Sequence, residues 1–215
     1  MDLVVTPRAI TRCDATTVLC LDMAAPAEGI SDGGTFSAAP RWLRALRIVH
    51  PFPTLLNVAA VAGLSVVAAE GSPDIDVLLR MLIVMLLIQC SIGMANDICD
   101  RELDAAAKPW KPIVAGLISV RAAVVTCVVL IMAAALIGIT LGMESFLLAM
   151  LGLACGLSYD LKLKRTLFSA VPFVIAVPAL PIWVWVSLDA WESVLWWMWP
   201  LGGLIGLSLH LANTL

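Results

Sequence analysis

The chain has 215 residues, 61% of them hydrophobic and 13% charged, with a formal net charge of −3 and a mean hydropathy of +1.00. That composition excludes an ordinary soluble domain and fits an all-α, polytopic transmembrane helix bundle with the bilayer as its solvent. No basic run is long enough for a nucleic-acid face, and six cysteines without a CxxC pair indicate neither a disulfide framework nor a zinc site.

Residues 1–40 mix acids with Pro, Gly, Ser and Thr without a sustained period, which predicts a mobile N-terminal extension. Their apolar run, 15–21, is seven residues long and flanked by Asp14 and Asp22, too short for a signal peptide. Arg41, Arg44 and Arg47 recur at helical spacing and lead into a first apolar span reaching about residue 69, with Pro51 and Pro53 near its start, where missing donors are tolerated. The acidic turn EGSPDID separates it from a second span, 77–95. Further spans are predicted at 119–142, 145–159, 170–188 and 193–213. The fifth carries Pro172, Pro178 and Pro181, which predicts a kink.

Ten of the Lys and Arg residues that flank spans fall on one side and only Arg80 on the other, so the N-terminus and the loops after the second, fourth and sixth spans are expected in the cytoplasm. Trp183, Trp185, Trp191, Trp196, Trp197 and Trp199 cluster near the last external turn, as an aromatic belt would. Gly138 with Gly142, Gly152 with Gly156 and Gly202 with Gly206 stand at the spacing that permits close helix approach. His50 and His210 lie singly near helix ends and read first as satisfied polar residues.

The second span runs into NDICDRELD, residues 96–104, which puts four acids into an apolar chain. At about 100° per residue, Asp97, Asp100 and Asp104 share an arc of about 60° while Glu102 points away. Like charges so placed are costly unless a cation sits between them, and Mg²⁺ takes oxygen ligands from few carboxylates plus substrate phosphates. A solvated acidic loop is the alternative. The following loop, AAAKPWKPIVAGLIS, is stiffened by two prolines and carries Lys108 and Lys111, which could meet leftover phosphate charge. Arg101, about 40° from Asp97 on the wheel, could join them or simply anchor the helix end. After the fourth span, SYDLKLKRT places Tyr159, Lys162 and Arg165 at helical spacing, with Lys164 turned away.

Taken together, NDICDRELD, KPWKPIVAGLIS and SYDLKLKR, each at a cytoplasmic helix end, resemble the UbiA-type intramembrane prenyltransferases, whose first aspartate motif NDxxDxxxD is matched at Asn96, Asp97, Asp100 and Asp104. The later loop pattern is matched at Lys111, Pro112, Ile113, Ala115, Gly116, Ile118 and Ser119, and a tyrosine-and-basic element at Tyr159 and 162–165. The resemblance implies a bundle of about nine helices, of which about six are present here. It also implies Mg²⁺-dependent transfer of a prenyl group from an isoprenyl diphosphate to an aromatic or lipid-linked acceptor, as in lipid or quinone biosynthesis. Asp97, Asp100 and Asp104 would be the metal-binding, catalytic set. Asn96, Arg101, Lys108, Lys111, Tyr159, Lys162, Arg165 and Asn213 would bind the diphosphate, Asn213 being paired with Asn96 through the echo of GMAND in HLANT. The implied domain occupies 41–215 of an integral protein of a bacterial or archaeal cell membrane. The family's second aspartate motif would begin where the sequence stops, so the chain is expected to be incomplete and weak in transfer. The competing class is a transporter using the same acids for a cation. A CDP-alcohol phosphotransferase would need a DG-starting acidic motif that is absent.

Overall fold

A computed structural model describes residues 40–214, and the expected extension over 1–39 lies outside the described residues. The protein is an all-α bundle. A short helix, α1 (Arg41–Ala45), passes through a 3₁₀ turn (Leu46–Val49) into α2 (Pro51–Ala68). There follow α3 (Ile75–Ala107), α4 (Val120–Gly138), α5 (Met143–Leu161), α6 (Val171–Ser187) and α7 (Met198–Thr214). Four segments, Pro51–Ala68, Ile75–Ala107, Val120–Leu141 and Met143–Leu161, are long and apolar enough to span a membrane. The fifth and sixth predicted spans are helices of 17 residues each, about 26 Å at 1.5 Å per residue. Outward-facing Leu55, Val66, Val125, Val129, Leu136 and Leu204 are each at least half exposed, as lipid-facing residues of an integral membrane protein are.

Helix starts follow from local chemistry. Asp74 caps α3 by accepting from the backbone N–H of Asp76 and Val77 at 2.9 and 3.0 Å, and Ser119 caps α4 through Ala122 N–H at 3.2 Å. Such caps each contribute about 1 kcal/mol. The 33 residues of α3 reach about 50 Å, whereas roughly 20 residues cross the hydrocarbon. Its last third, from about Asn96 on, therefore projects past the apolar slab and carries the acids with it.

Helix α3 is central, packing against α2, α4 and α5, while α6 packs on α5, α7 and α2. The main core joins Val61 of α2, Met81, Val84 and Ile88 of α3, Leu153 of α5 and Val184 of α6. A second cluster, Ile48, Met94, Ile98, Ala123 and Cys127, lies nearer the acids. Trp183 departs from the expected belt. It is 2% exposed because its indole N–H donates to Ser145 Oγ at 2.9 Å, and Ser145 in turn meets Ser187 Oγ at 2.6 Å. Trp196 and Trp197 do face outward. The fourth span extends beyond its predicted ends, to Met143 and Leu161.

The glycine pairs divide. A Cβ on Gly206 would collide with Phe173 O, one on Gly202 with Pro178 and one on Gly156 with Ile92, so these three permit helix contact. Gly142 serves a turn instead, at φ 100, and Gly152 has nothing within 4 Å of a Cβ. Gly206→Ala is expected to push α7 off the α6 backbone and lower stability by about 1–3 kcal/mol, read as a fall in Tm in detergent, whereas Gly63→Ala, on open space, should raise or preserve it.

Candidate active site

The shared helical face holds. Asp97 and Asp104 are 2% and 4% exposed, whereas the Glu102 side chain is 70% exposed. The expectation that all three aspartates form one cluster is corrected, because no group of three acid, His or Cys side chains is arranged to hold a metal among the described residues. Two partner sets divide them. Lys111 Nζ lies 2.7 Å from Asp97 Oδ1 and 2.6 Å from Asp104 Oδ2, the latter an ion pair without hydrogen-bond geometry. Asp100, rotated toward α5, pairs with Lys164 at 2.7 Å and Arg165 at 3.1 Å. The physical reason is angle and the placement of partners: Asp104 lies about 20° from Asp97 on the wheel and Asp100 about 60°, so Lys111 of the following loop reaches the first two while Asp100 meets the cations after α5.

That loop is built to deliver Lys111. Pro112 is fully buried, its carbonyl accepts from Leu117 N–H at 2.9 Å, and Ala115 N–H donates to Lys111 O at 2.8 Å. Gly116 turns the chain at φ 65, where a side chain would be strained. Burial works against the Lys111 ammonium, but its close contacts with the Asp104 and Asp97 carboxylates and their negative charges outweigh it and hold its pKa above the ordinary 10.5. The sign follows: the stabilisation is fully present below the ordinary lysine pKa and is lost only as pH rises through the raised value. Near neutrality, then, Lys111 stays charged and the clasp stays closed to proton loss.

Asn96 links the two sets. Its Nδ2 donates to Asp160 Oδ1 at 2.8 Å, and its Oδ1 accepts from Lys111 at 3.4 Å. Asp160 also meets Lys164 at 3.4 Å. His50 closes the other side, with Nε2 2.8 Å from Asp97 Oδ1 and its backbone in the left-handed region at φ 48. Such a conformation costs about 1–3 kcal/mol in a non-glycine residue, and the bond to Asp97 helps hold it.

The expected orientation of the two lysines is corrected by these contacts. Lys164 faces the acids and Lys162 does not: α5 ends at Leu161, Lys162 leaves the helix at φ −141 and a 3₁₀ turn follows, so the helical wheel no longer applies. Lys162 is exposed. Arg101 turns to its neighbour Glu102, at 3.7 Å, and Lys108 stands at the edge, 3.7 Å from Asp104 and half exposed. Tyr159 lines the cavity beside Asp160, its ring 5.1 Å from Phe173, and the Asn213 side chain lies outside the described residues. Two participants, buried Asp160 and half-buried His50, escaped the sequence reading. Asp160 could have been found as an acid one helical turn before Lys164 in an apolar span, whereas nothing in spacing announces His50.

Beside this network opens a cavity of about 600 Å³. His50, Asn96, Tyr159 and Asp160 form its polar end, and Ile88, Leu148, Val177 and Leu180 are among its apolar walls. A smaller pocket of about 240 Å³ lies on the far side of His50, Asp97 and Lys111, against Arg47, Phe52 and Trp110. The donor set fits a hard divalent cation. Asp97 and Asp104 already share one cation through Lys111, and Asp97 Oδ2 is buried without a hydrogen-bond partner, an oxygen available as a ligand.

The model of the UbiA prenyltransferase family matches residues 56–214. The 4-hydroxybenzoate octaprenyltransferase of Vibrio atlanticus (strain LGP32) is 27% identical over 165 residues, covering 74% of this chain and 57% of that protein. The enzyme of the same name from Shewanella frigidimarina (strain NCIMB 400) is 27% identical over 172 residues, covering 73% and 56%. The chain thus spans a little over half the length of these curated relatives. Among solved structures, a UbiA homologue from Archaeoglobus fulgidus bound to GPP and Mg²⁺ superposes with a TM-score of 0.61 at 17% identity, covering 80% of this chain and 62% of that one. A digeranylgeranylglyceryl phosphate synthase gives 0.70 at 15%, covering 78% and 60%. These two share the fold.

Lys111→Met should leave buried Asp97 with only His50 and Asp104 with only the half-exposed Lys108, at a cost of about 3–5 kcal/mol. The expected readout is a lowered Tm at neutral pH that millimolar Mg²⁺ raises more in the variant than in the unsubstituted protein. Equal shifts in both would count against a shared cation position.

Proposed function

This chain belongs to the UbiA prenyltransferase family, and from that premise we propose that it binds an isoprenyl diphosphate with Mg²⁺ and transfers the prenyl group to an aromatic or lipid-linked acceptor. The carrying observation is the juxtaposition of a dense acid-and-cation network with the polar end of a largely apolar cavity. An amphiphile with a doubly anionic head and a hydrocarbon tail matches both halves.

Asp97 and Asp104 would hold Mg²⁺, with Asp100 joining when phosphate draws Lys164 and Arg165 away. When bound, the ion stabilises negative charge on the departing diphosphate. Lys111, displaced from between the two carboxylates, would turn its ammonium to a phosphate oxygen, and Lys164 and Arg165 would do the same from the α5 side. Asn96 and Asp160 keep these cations positioned through the contacts described above. The apolar walls keep water from the electron-poor carbon left by C–O cleavage, and the rings of Tyr159 and Phe173 near the mouth present π faces suited to positive charge. The relatives named for 4-hydroxybenzoate favour an aromatic acceptor; the smaller pocket, with Phe52, Trp110 and Arg47 against Lys111, suits an aromatic ring bearing an anion. The transporter alternative is less well supported, since the acids lie at the end of α3 and the adjoining cavity is mostly apolar.

Asp97→Asn and Asp104→Asn should each weaken Mg²⁺-dependent binding of geranyl diphosphate about tenfold or more, as loss of a charged partner worth about 1.5–3 kcal/mol would. Glu102→Gln should bind as the unsubstituted protein does; equal losses at Glu102 would remove the basis for the shared face. We also propose that this end of the bundle is cytoplasmic, on the ten-to-one cation bias. An impermeant thiol reagent should then label Ser72→Cys from outside and leave Ala106→Cys unlabelled, the reverse pattern contradicting the orientation.

A further inference from the structure

The cavity has a measurable depth. Its lining on α3 runs over residues 85–96, on α5 over 148–160, and on α6 over 172–183. Each stretch of 11 or 12 steps rises about 16–18 Å, and in each the polar or mouth-side residues, Asn96, Tyr159 and Pro172, stand at the same end. Met85, Leu148 and Trp183 therefore lie together at the opposite end. An extended carbon chain advances roughly 1.2 Å per bond, as the 3.3–3.6 Å of a three-bond extended residue implies. A four-bond isoprene unit then needs roughly 5 Å, and the cavity takes about three.

Two residues bear on that depth. Trp183 lines the inner end and is held in place, because Ser145 accepts from its indole N–H at 2.9 Å and Ser187 Oγ, 2.6 Å from Ser145 Oγ, donates to Trp183 O at 2.7 Å. Gly152 lines the wall, and a Cβ there would meet nothing within 4 Å. The open space at Gly152 belongs to the cavity, unlike that at Gly63, which is exposed on the outer face. Gly152 lies seven residues below Tyr159, about 10 Å from the mouth, level with the start of a third isoprene unit.

Resting on the prenyl diphosphate reading above, we infer that Gly152 and Trp183 set the length of tail this protein accepts, at about three isoprene units: Gly152 leaves room for the third and Trp183 stops a fourth. The test uses the purified chain in nanodiscs with Mg²⁺ and the non-ionising geranyl, farnesyl and geranylgeranyl S-thiolodiphosphates, with affinities measured by calorimetry. Affinity should rise from geranyl to farnesyl and not rise again for geranylgeranyl. Gly152→Phe should weaken farnesyl binding roughly tenfold or more, in line with what a pocket mismatch of this size costs, while leaving geranyl binding unchanged. Gly63→Phe, the same substitution on the outer face, should alter neither. Trp183→Ala should make geranylgeranyl the tighter ligand over farnesyl; if that variant does not fold, the Gly152 and Gly63 pair decides alone. A farnesyl-to-geranyl ratio unchanged by Gly152→Phe, or changed equally by Gly63→Phe, overturns the gauge and leaves diphosphate binding standing. Failure of all three ligands to bind overturns the prenyl diphosphate reading and the gauge with it.

Discussion

One ammonium between two buried carboxylates organises this end of the molecule. Asp97 and Asp104 sit on the same helix, both nearly inaccessible, and each would be strongly destabilising without an opposite charge within reach. Lys111 supplies that charge to both at once. The requirement propagates outward: α3 must be long enough to carry acids past the hydrocarbon, the loop behind it must be stiff enough to aim a lysine, and Pro112 must be buried to fix the loop. His50 adds a polar contact to Asp97 at the cost of a left-handed backbone. A site held this way has its carboxylates already gathered about a cation position, so binding a metal and an anion exchanges one set of charged contacts for another and orders little that was loose.

The apolar half obeys a different rule. In lipid, helices gain little from burying hydrocarbon against hydrocarbon, so close packing of small residues holds them together. Gly156, Gly202 and Gly206 serve that contact, each with a neighbour where a Cβ would stand. Gly152, one turn from Gly156 on the same helix, serves the cavity. Both glycines line the cavity, but a Cβ at Gly156 would have to displace the Ile92 side chain whereas one at Gly152 would enter open space.

Much of this was legible from sequence, and the misses have definite causes. Periodicity placed the apolar segments, since a helix in a bilayer must satisfy its own backbone and shows as a long apolar run. The helical wheel separated Asp97, Asp100 and Asp104 from Glu102 correctly, because α3 is continuous through the motif. The same reasoning exchanged Lys162 for Lys164, because α5 ends between Tyr159 and the lysines and the wheel assumes that it continues. His50 reaches Asp97 across 47 residues, a contact set by how α2 enters the bundle and invisible to any local period. Trp183 read as a belt residue from composition; only the position of Ser145 on a neighbouring helix turns its indole inward. The three aspartates divide because Asp100, about 60° from Asp97 on the wheel, faces cations supplied after α5, partners on another element that a wheel of α3 does not show.

The most direct measurement of the shared cation position is a crystal structure of the chain with Mn²⁺ in place of Mg²⁺ and geranyl S-thiolodiphosphate, using the anomalous signal to locate the ion. Mn²⁺ bonded to carboxylate oxygens of both Asp97 and Asp104, with Lys111 Nζ moved from between them to the diphosphate, is the expected result. Mn²⁺ bound away from these two residues, or Lys111 still bridging them with the ligand in place, would contradict it.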